Sequence, residues 1–190
     1  MRIFPVLTQG APFTLHDLPG LLRNPIVMGV SFLALLYAGS YFTVYSYIEP
    51  FLETVAHFSA QGITWTLVFL GVCGIGGSAV FSRFYEARRQ PVFYFELGAL
   101  LAVMVLFLPA ASFRPTMLLC CMVFGMIFTM FGTTMQAELI RGCPQAAAPV
   151  AMAIYSGIFN VGIASGTWLG GHLVSRDLLS YIALPVPSLL

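Results

Sequence analysis

Lysine is missing altogether, and eight arginines and seven acidic residues make up only 8 % of the 190 positions. Soluble domains carry about 25 % charge, so this scarcity excludes an ordinary water-solvated surface. A net charge of +1 likewise argues against a nucleic-acid face. Four cysteines, Cys73, Cys120, Cys121 and Cys143, show no CxxC spacing, and the three histidines have no carboxylate cluster beside them. Neither a disulfide framework nor a metal site is predicted, and no cofactor. No catalytic residue is expected either, because nothing reads as an activated nucleophile or an acid pair, and an enzyme is not predicted. The first 24 residues lack a continuous apolar run, since Pro5, Gln9, Gly10, Pro12, His16, Asp17 and Pro19 interrupt them. They read as a linker, not a signal peptide.

What is present is apolar: 59 % of residues, with mean hydropathy +0.92. Five runs, roughly 26–47, 64–81, 91–111, 116–136 and 150–174, are each long enough to cross about 30 Å of hydrocarbon as a helix. Lipid leaves no other partner for backbone polar groups, so an all-α integral membrane protein is predicted. The organisation expected is a cytoplasmic linker at 1–25, membrane helices within 26–177, and a truncated start of a further helix at 178–190. That last segment has 13 residues with Pro185 and Pro187, too short to span, which suggests a fragment. Six arginines, Arg2, Arg23, Arg83, Arg88, Arg89 and Arg141, fall in loops on one side, and only Arg114 and Arg176 on the other. The arginine-rich side is expected to be cytoplasmic, together with the amino terminus.

Polar residues inside these runs are the candidate functional positions. Tyr37, Tyr41 and Tyr45 recur every four residues and form one hydroxyl-bearing stripe, which either stacks on a sugar or belongs to an interfacial belt and helix packing. Glu49, beyond them, falls at the outer hydrocarbon edge. Gly125, Thr129, Thr133 and Gln136 occupy a narrow arc of the fourth run and predict either a cavity wall or threonines bonded to their own helix. Asn160, near the middle of the fifth run, should bond across helices or face a wet cavity. Gly162, Gly166 and Gly170 on the fifth run, and Gly74 and Gly77 within the glycine-rich face Gly71 to Ser78 of the second, predict close helix packing. Glu96, about five residues inside the third run, is the one acid well within a span. It is a candidate proton site, or a surface acid that snorkels to pair with Arg88 and Arg89.

Several stretches carry a resemblance. YSYIEPF at 45–51, HFSAQGITWTLVFLGVCGIGGSAVFSRF at 57–84, MQAELI at 135–140 and APVAMAIYSGIFNVGIASGTWLGG at 148–171 resemble the carboxyl-terminal half of bacterial sugar efflux transporters. Those belong to the drug and sugar proton antiporter branch of the major facilitator superfamily. Similarity runs from about Leu21 to Tyr181, while 77–89 matches the superfamily's cytoplasmic loop motif only in degenerate form. The resemblance implies two six-helix halves around a central cavity in the bacterial inner membrane. The five runs would be the seventh to eleventh helices and 178–190 the start of the twelfth. First and fourth helices of a half usually line the cavity, which adds weight to Tyr37, Tyr41, Thr129, Thr133 and Gln136.

Proton-driven sugar efflux is therefore the family-level expectation, with the lipid bilayer, a small-molecule substrate and a missing amino-terminal half as partners, and loss of activity in isolation. A multidrug or other small-molecule antiporter is the alternative, because aromatic and methionine-rich pockets accept many ligands. A non-transporting membrane scaffold, docking through its glycine faces, is a third reading.

Overall fold

Residues 18–183 are described by a computed structural model; 1–17, most of the expected linker, and 184–190, most of the expected further helix, lie outside the described residues. The described residues are helical, with no strand among them. A one-turn helix α1 (Leu18–Leu22) leads into α2 (Pro25–Tyr45), followed by a short α3 (Ile48–Thr54). Four long helices then alternate with tight turns: α4 (Ala60–Phe84), α5 (Arg89–Ala110), α6 (Arg114–Gly142) and α7 (Ala148–Val174). Helices α2, α4, α5, α6 and α7 are long and apolar enough to cross a membrane. A 3-10 turn at Leu179–Tyr181 closes the described chain.

Their ends follow from local chemistry. Asn24 caps α2 by accepting from the Ile26 and Val27 backbone N–H groups at 2.9 and 3.3 Å, with Pro25 beginning the first turn. Ser59 caps α4 by accepting from Gly62 N–H at 3.2 Å. Helix α6 continues six residues past Gln136, carrying Glu138 and Arg141 out of the apolar zone. Hydropathy marks where a helix meets lipid; hydrogen bonding carries it further, into polar surroundings.

Two helix pairs form the frame. On α7, Gly162, Gly166 and Gly170 meet Leu35, Gly39 and Thr43 of α2, so four-residue spacing on one helix answers four-residue spacing on the other. A Cβ built on Gly162 would stand 2.6 Å from the Leu35 carbonyl oxygen, and one on Gly170 would be 2.6 Å from that of Thr43. In the second pair, Gly74 of α4 lies against Thr129 and Gly125 of α6, Gly77 against the Met126 backbone, and Gly125 against the Leu70 backbone. Such close approach replaces the solvophobic drive that lipid does not supply. Gly71 and Gly76 have nothing within 4 Å of an added Cβ, so the glycine-rich face of α4 is narrower than the sequence suggests.

Helix α5 packs on α6, and α6 also meets α2 through aromatic rings. The outer surface stays apolar: Ile75, Tyr94 and Trp168 are each at least two-thirds exposed. Polar ties gather at two ends. Asn24 Nδ2 donates to the Gly142 carbonyl at 2.9 Å, and nearby Glu138 accepts from Tyr85 Oη at 2.6 Å and Arg89 Nε at 2.9 Å. Arg141 pairs there with Glu86. At the opposite end Arg114 donates to the His57 carbonyl at 2.9 Å. Burial, followed by the bond to Glu138, pushes the Tyr85 phenol up to about 12, so it stays a donor at neutral pH.

Candidate functional site

Two adjoining concavities run across α6. One, of about 400 Å³, lies between α2, α4 and α6, with Tyr45, Ser78 and Ile75 among its walls. The other, of about 310 Å³, lies between α6 and α7 and is lined by Thr129, Thr133 and Gln136 facing Tyr155, Ser156, Phe159 and Asn160. Phe128 and Thr129 belong to both. Thr129 is 15 residues into a 29-residue helix and Asn160 12 residues into one of 27, so both stand near mid-span, about 20 Å from the helix ends.

Four of the residues singled out from sequence thus meet at one opening: Thr129, Thr133, Gln136 and Asn160. Both threonine hydroxyl protons are engaged within the helix. Thr129 donates to Gly125 O at 3.3 Å, and Thr133 sits 2.7 Å from Met130 O and 2.9 Å from Thr129 O. Oxygen lone pairs remain to accept from a ligand. Asn160 Nδ2 donates to Ser156 O at 2.7 Å, within its own helix, while the side chain lies exposed at the cavity. Gln136 is exposed too. The result is a polar rim with donors and acceptors over an aromatic floor, in which Tyr155 and Phe159 stack at 6.0 Å and Phe128 meets Phe159 at 6.4 Å. Phe128, Tyr155 and Phe159 escaped the sequence reading, although Tyr155 and Phe159 show the same four-residue spacing as Ser156 and Asn160.

The tyrosine stripe has a different fate. Tyr37 is 3 % exposed and stacks on Phe131 at 3.6 Å with an interplanar angle of 8°. Tyr41 is 2 % exposed, held between Phe124 at 4.1 Å and Phe128 at 4.0 Å. Tyr41 borders the larger concavity, but phenylalanines already cover the ring faces that a sugar would need. Of the two readings of the stripe, helix packing is the one that the contacts of Tyr37 and Tyr41 match. Periodicity identifies a face of α2, not the phenylalanine-rich face of α6 that it meets.

Glu96 also departs from the surface alternative. It is fully buried, and Arg89 bonds to Glu138 instead. Its Oε1 accepts a 2.8 Å hydrogen bond from Thr134 Oγ1 on α6. Among the described residues Oε2 has no hydrogen-bond partner.

A family model described as Major Facilitator Superfamily matches residues 5–175. The chain belongs to the Major Facilitator Superfamily. It is also 33 % identical over 183 residues to a protein of Pasteurella multocida (strain Pm70) named "Probable sugar efflux transporter". That alignment covers 96 % of this chain and 45 % of the relative, so the chain spans less than half of the relative's length. As a superfamily member with five apolar spans, it is a multi-pass membrane protein.

Proposed function

We propose that this chain forms one wall of a transport path through a bacterial inner membrane, and that the solute is a sugar exported in exchange for protons. The observation that carries the reading is the meeting of Thr129, Thr133, Gln136 and Asn160 at one opening, with Thr129 and Asn160 near mid-span, over Phe128 and Phe159. Hydroxyl-rich solutes are held by hydrogen bonds around the ring edge and by aromatic contact with the ring face, and this rim and floor supply both. The name of the Pasteurella relative adds the substrate class. A polar rim facing lipid is unfavourable, so a second six-helix half covers it and completes the path. The amino terminus is cytoplasmic, an orientation supported by the six arginines on its side.

The test is to co-express the chain with the amino-terminal half of the Pasteurella relative in cells lacking sugar exporters, and to follow efflux of a radiolabelled thiogalactoside. Efflux requiring both halves, and lost with Asn160→Leu, is expected. Proton-driven flux from the 190-residue chain alone would overturn the two-half reading. Export of cationic dyes in place of sugar would favour a multidrug antiporter, for which Phe128, Tyr155 and Phe159 supply the aromatic surface. No flux combined with a stable complex of this chain with itself would favour a scaffold.

A further inference from the structure

Glu96 lies about 10 Å along α5 from the Arg89 end, within the spanning segment and 0 % exposed. One carboxyl oxygen accepts from Thr134 Oγ1; the other is buried without a partner among the described residues. Among the described residues no positive charge pairs with it. Helix α6 contributes Glu138, one turn beyond Thr134, and that carboxylate binds Arg89 and Tyr85. Helix α2 contributes Tyr37, within electrostatic range of Glu96, with a buried hydroxyl that also has no partner among the described residues. An ionised carboxylate in such a setting is among the most unfavourable groups a membrane helix can bury. As the neutral acid, the same side chain keeps its carbonyl oxygen on Thr134 and leaves only one weakly polar O–H to satisfy.

We propose that Glu96 is a proton-binding site at the junction of α5, α6 and α2, holding its proton while these helices are packed and releasing it to water when the Thr134 contact opens. Release converts the neutral acid to a carboxylate and one hydrated proton; no other co-reactant is needed. Helix separation and deprotonation are then one linked equilibrium, and each favours the other. This deepens the proton-exchange reading above, but its test needs no transport.

The experiment is infrared spectroscopy of the full chain in lipid nanodiscs, with isotope-labelled glutamate, titrated from acidic to alkaline pH. A neutral-acid carbonyl band should persist at pH 7, where ordinary glutamates, with pKa about 4.3, have lost theirs. It should be absent in Glu96→Gln and retained in Glu138→Gln. Thr134→Val should move the band to higher frequency without abolishing it, as expected when the carbonyl loses a hydrogen bond. Absence of the band in the unmodified chain at pH 7, or its survival in Glu96→Gln, would overturn the proposal. Persistence of the band alongside failed sugar efflux would remove the substrate reading and leave the proton site standing.

Discussion

Gly166 of α7 rests directly on the backbone of Gly39 in α2, and the contact is one-sided. A methyl group added at Gly166 would overlap the Gly39 carbonyl, whereas one at Gly39 would stand 3.7 Å from the Gly162 carbonyl oxygen, an ordinary contact. Gly166→Ala should therefore force the helices apart and destabilise the chain by about 1–3 kcal/mol, while Gly39→Ala should be tolerated. Unfolding in mixed detergent micelles by added dodecyl sulfate distinguishes them; equal effects would refute the asymmetry.

The second helix pair gives a parallel contrast. Gly77 lies against the Met126 backbone, whereas Gly76, its neighbour in sequence, faces open space. Gly77→Ala should lower the thermal midpoint, and Gly76→Ala should leave it unchanged or raise it, since alanine favours helix by about 1 kcal/mol in water. A thermal scan of the purified variants reads both.

Tyr37 and Tyr41 should respond differently to loss of a ring and loss of a hydroxyl. Because Tyr37 Oη is buried without a partner among the described residues, Tyr37→Phe should be neutral or stabilising by up to about 1 kcal/mol. Tyr41→Ala removes a ring held between Phe124 and Phe128 and should cost about 3–5 kcal/mol. Detergent unfolding of the two variants checks this, and marked destabilisation by Tyr37→Phe would mean that its hydroxyl has a role.

The acids near the Arg89 end should also differ. Glu138 is shared by Tyr85 and Arg89, while Glu86 is a largely exposed partner of Arg141. Glu138→Gln should lower the thermal midpoint clearly more than Glu86→Gln, and the smaller effect of Glu86→Gln should fade further with added salt because its pair is the more exposed. A reversed order would contradict the network.

Accessibility tests the cavity. In a chain whose four native cysteines are replaced, single cysteines at Gln136 and Asn160 should react readily with a small maleimide, and one at the buried Thr134 should not. Comparable labelling of the Thr133 and Thr134 positions would contradict the placement of Thr133 at the cavity and Thr134 in the interior against Glu96.

The sequence made the helical architecture legible because lipid restricts the choices: long apolar runs must be helices, and there is room for five. The strict spacing of Gly162, Gly166 and Gly170 likewise marked a surface where backbones approach. Spacing also grouped Thr129, Thr133 and Gln136 on one side of α6. What it could not convey was which surfaces meet. Tyr37 and Tyr41 form a regular stripe whichever way α2 is turned, and only the opposing Phe124, Phe128 and Phe131 make it interior. For Glu96 the sequence left a proton site and a snorkelling surface acid both open, since hydropathy measures its depth along α5 but not the enclosure supplied by α6 and α2. The short α3 was hidden as well, because Pro50 in its first turn and the polar residues after it read as loop.

The pairing of α2 with α7 has a consequence for biosynthesis. Ser46 and Thr167, whose hydroxyls lie 2.9 Å apart across this interface, are separated by 121 residues of chain. The ribosome delivers α4, α5 and α6 before the glycine ridge of α7 exists, so the α4–α6 pair can form while α2 still waits in lipid. Docking of α7 on α2 comes late among these helices, and a chain stalled before it leaves α2 without its main partner, exposed to the machinery that removes unassembled membrane helices.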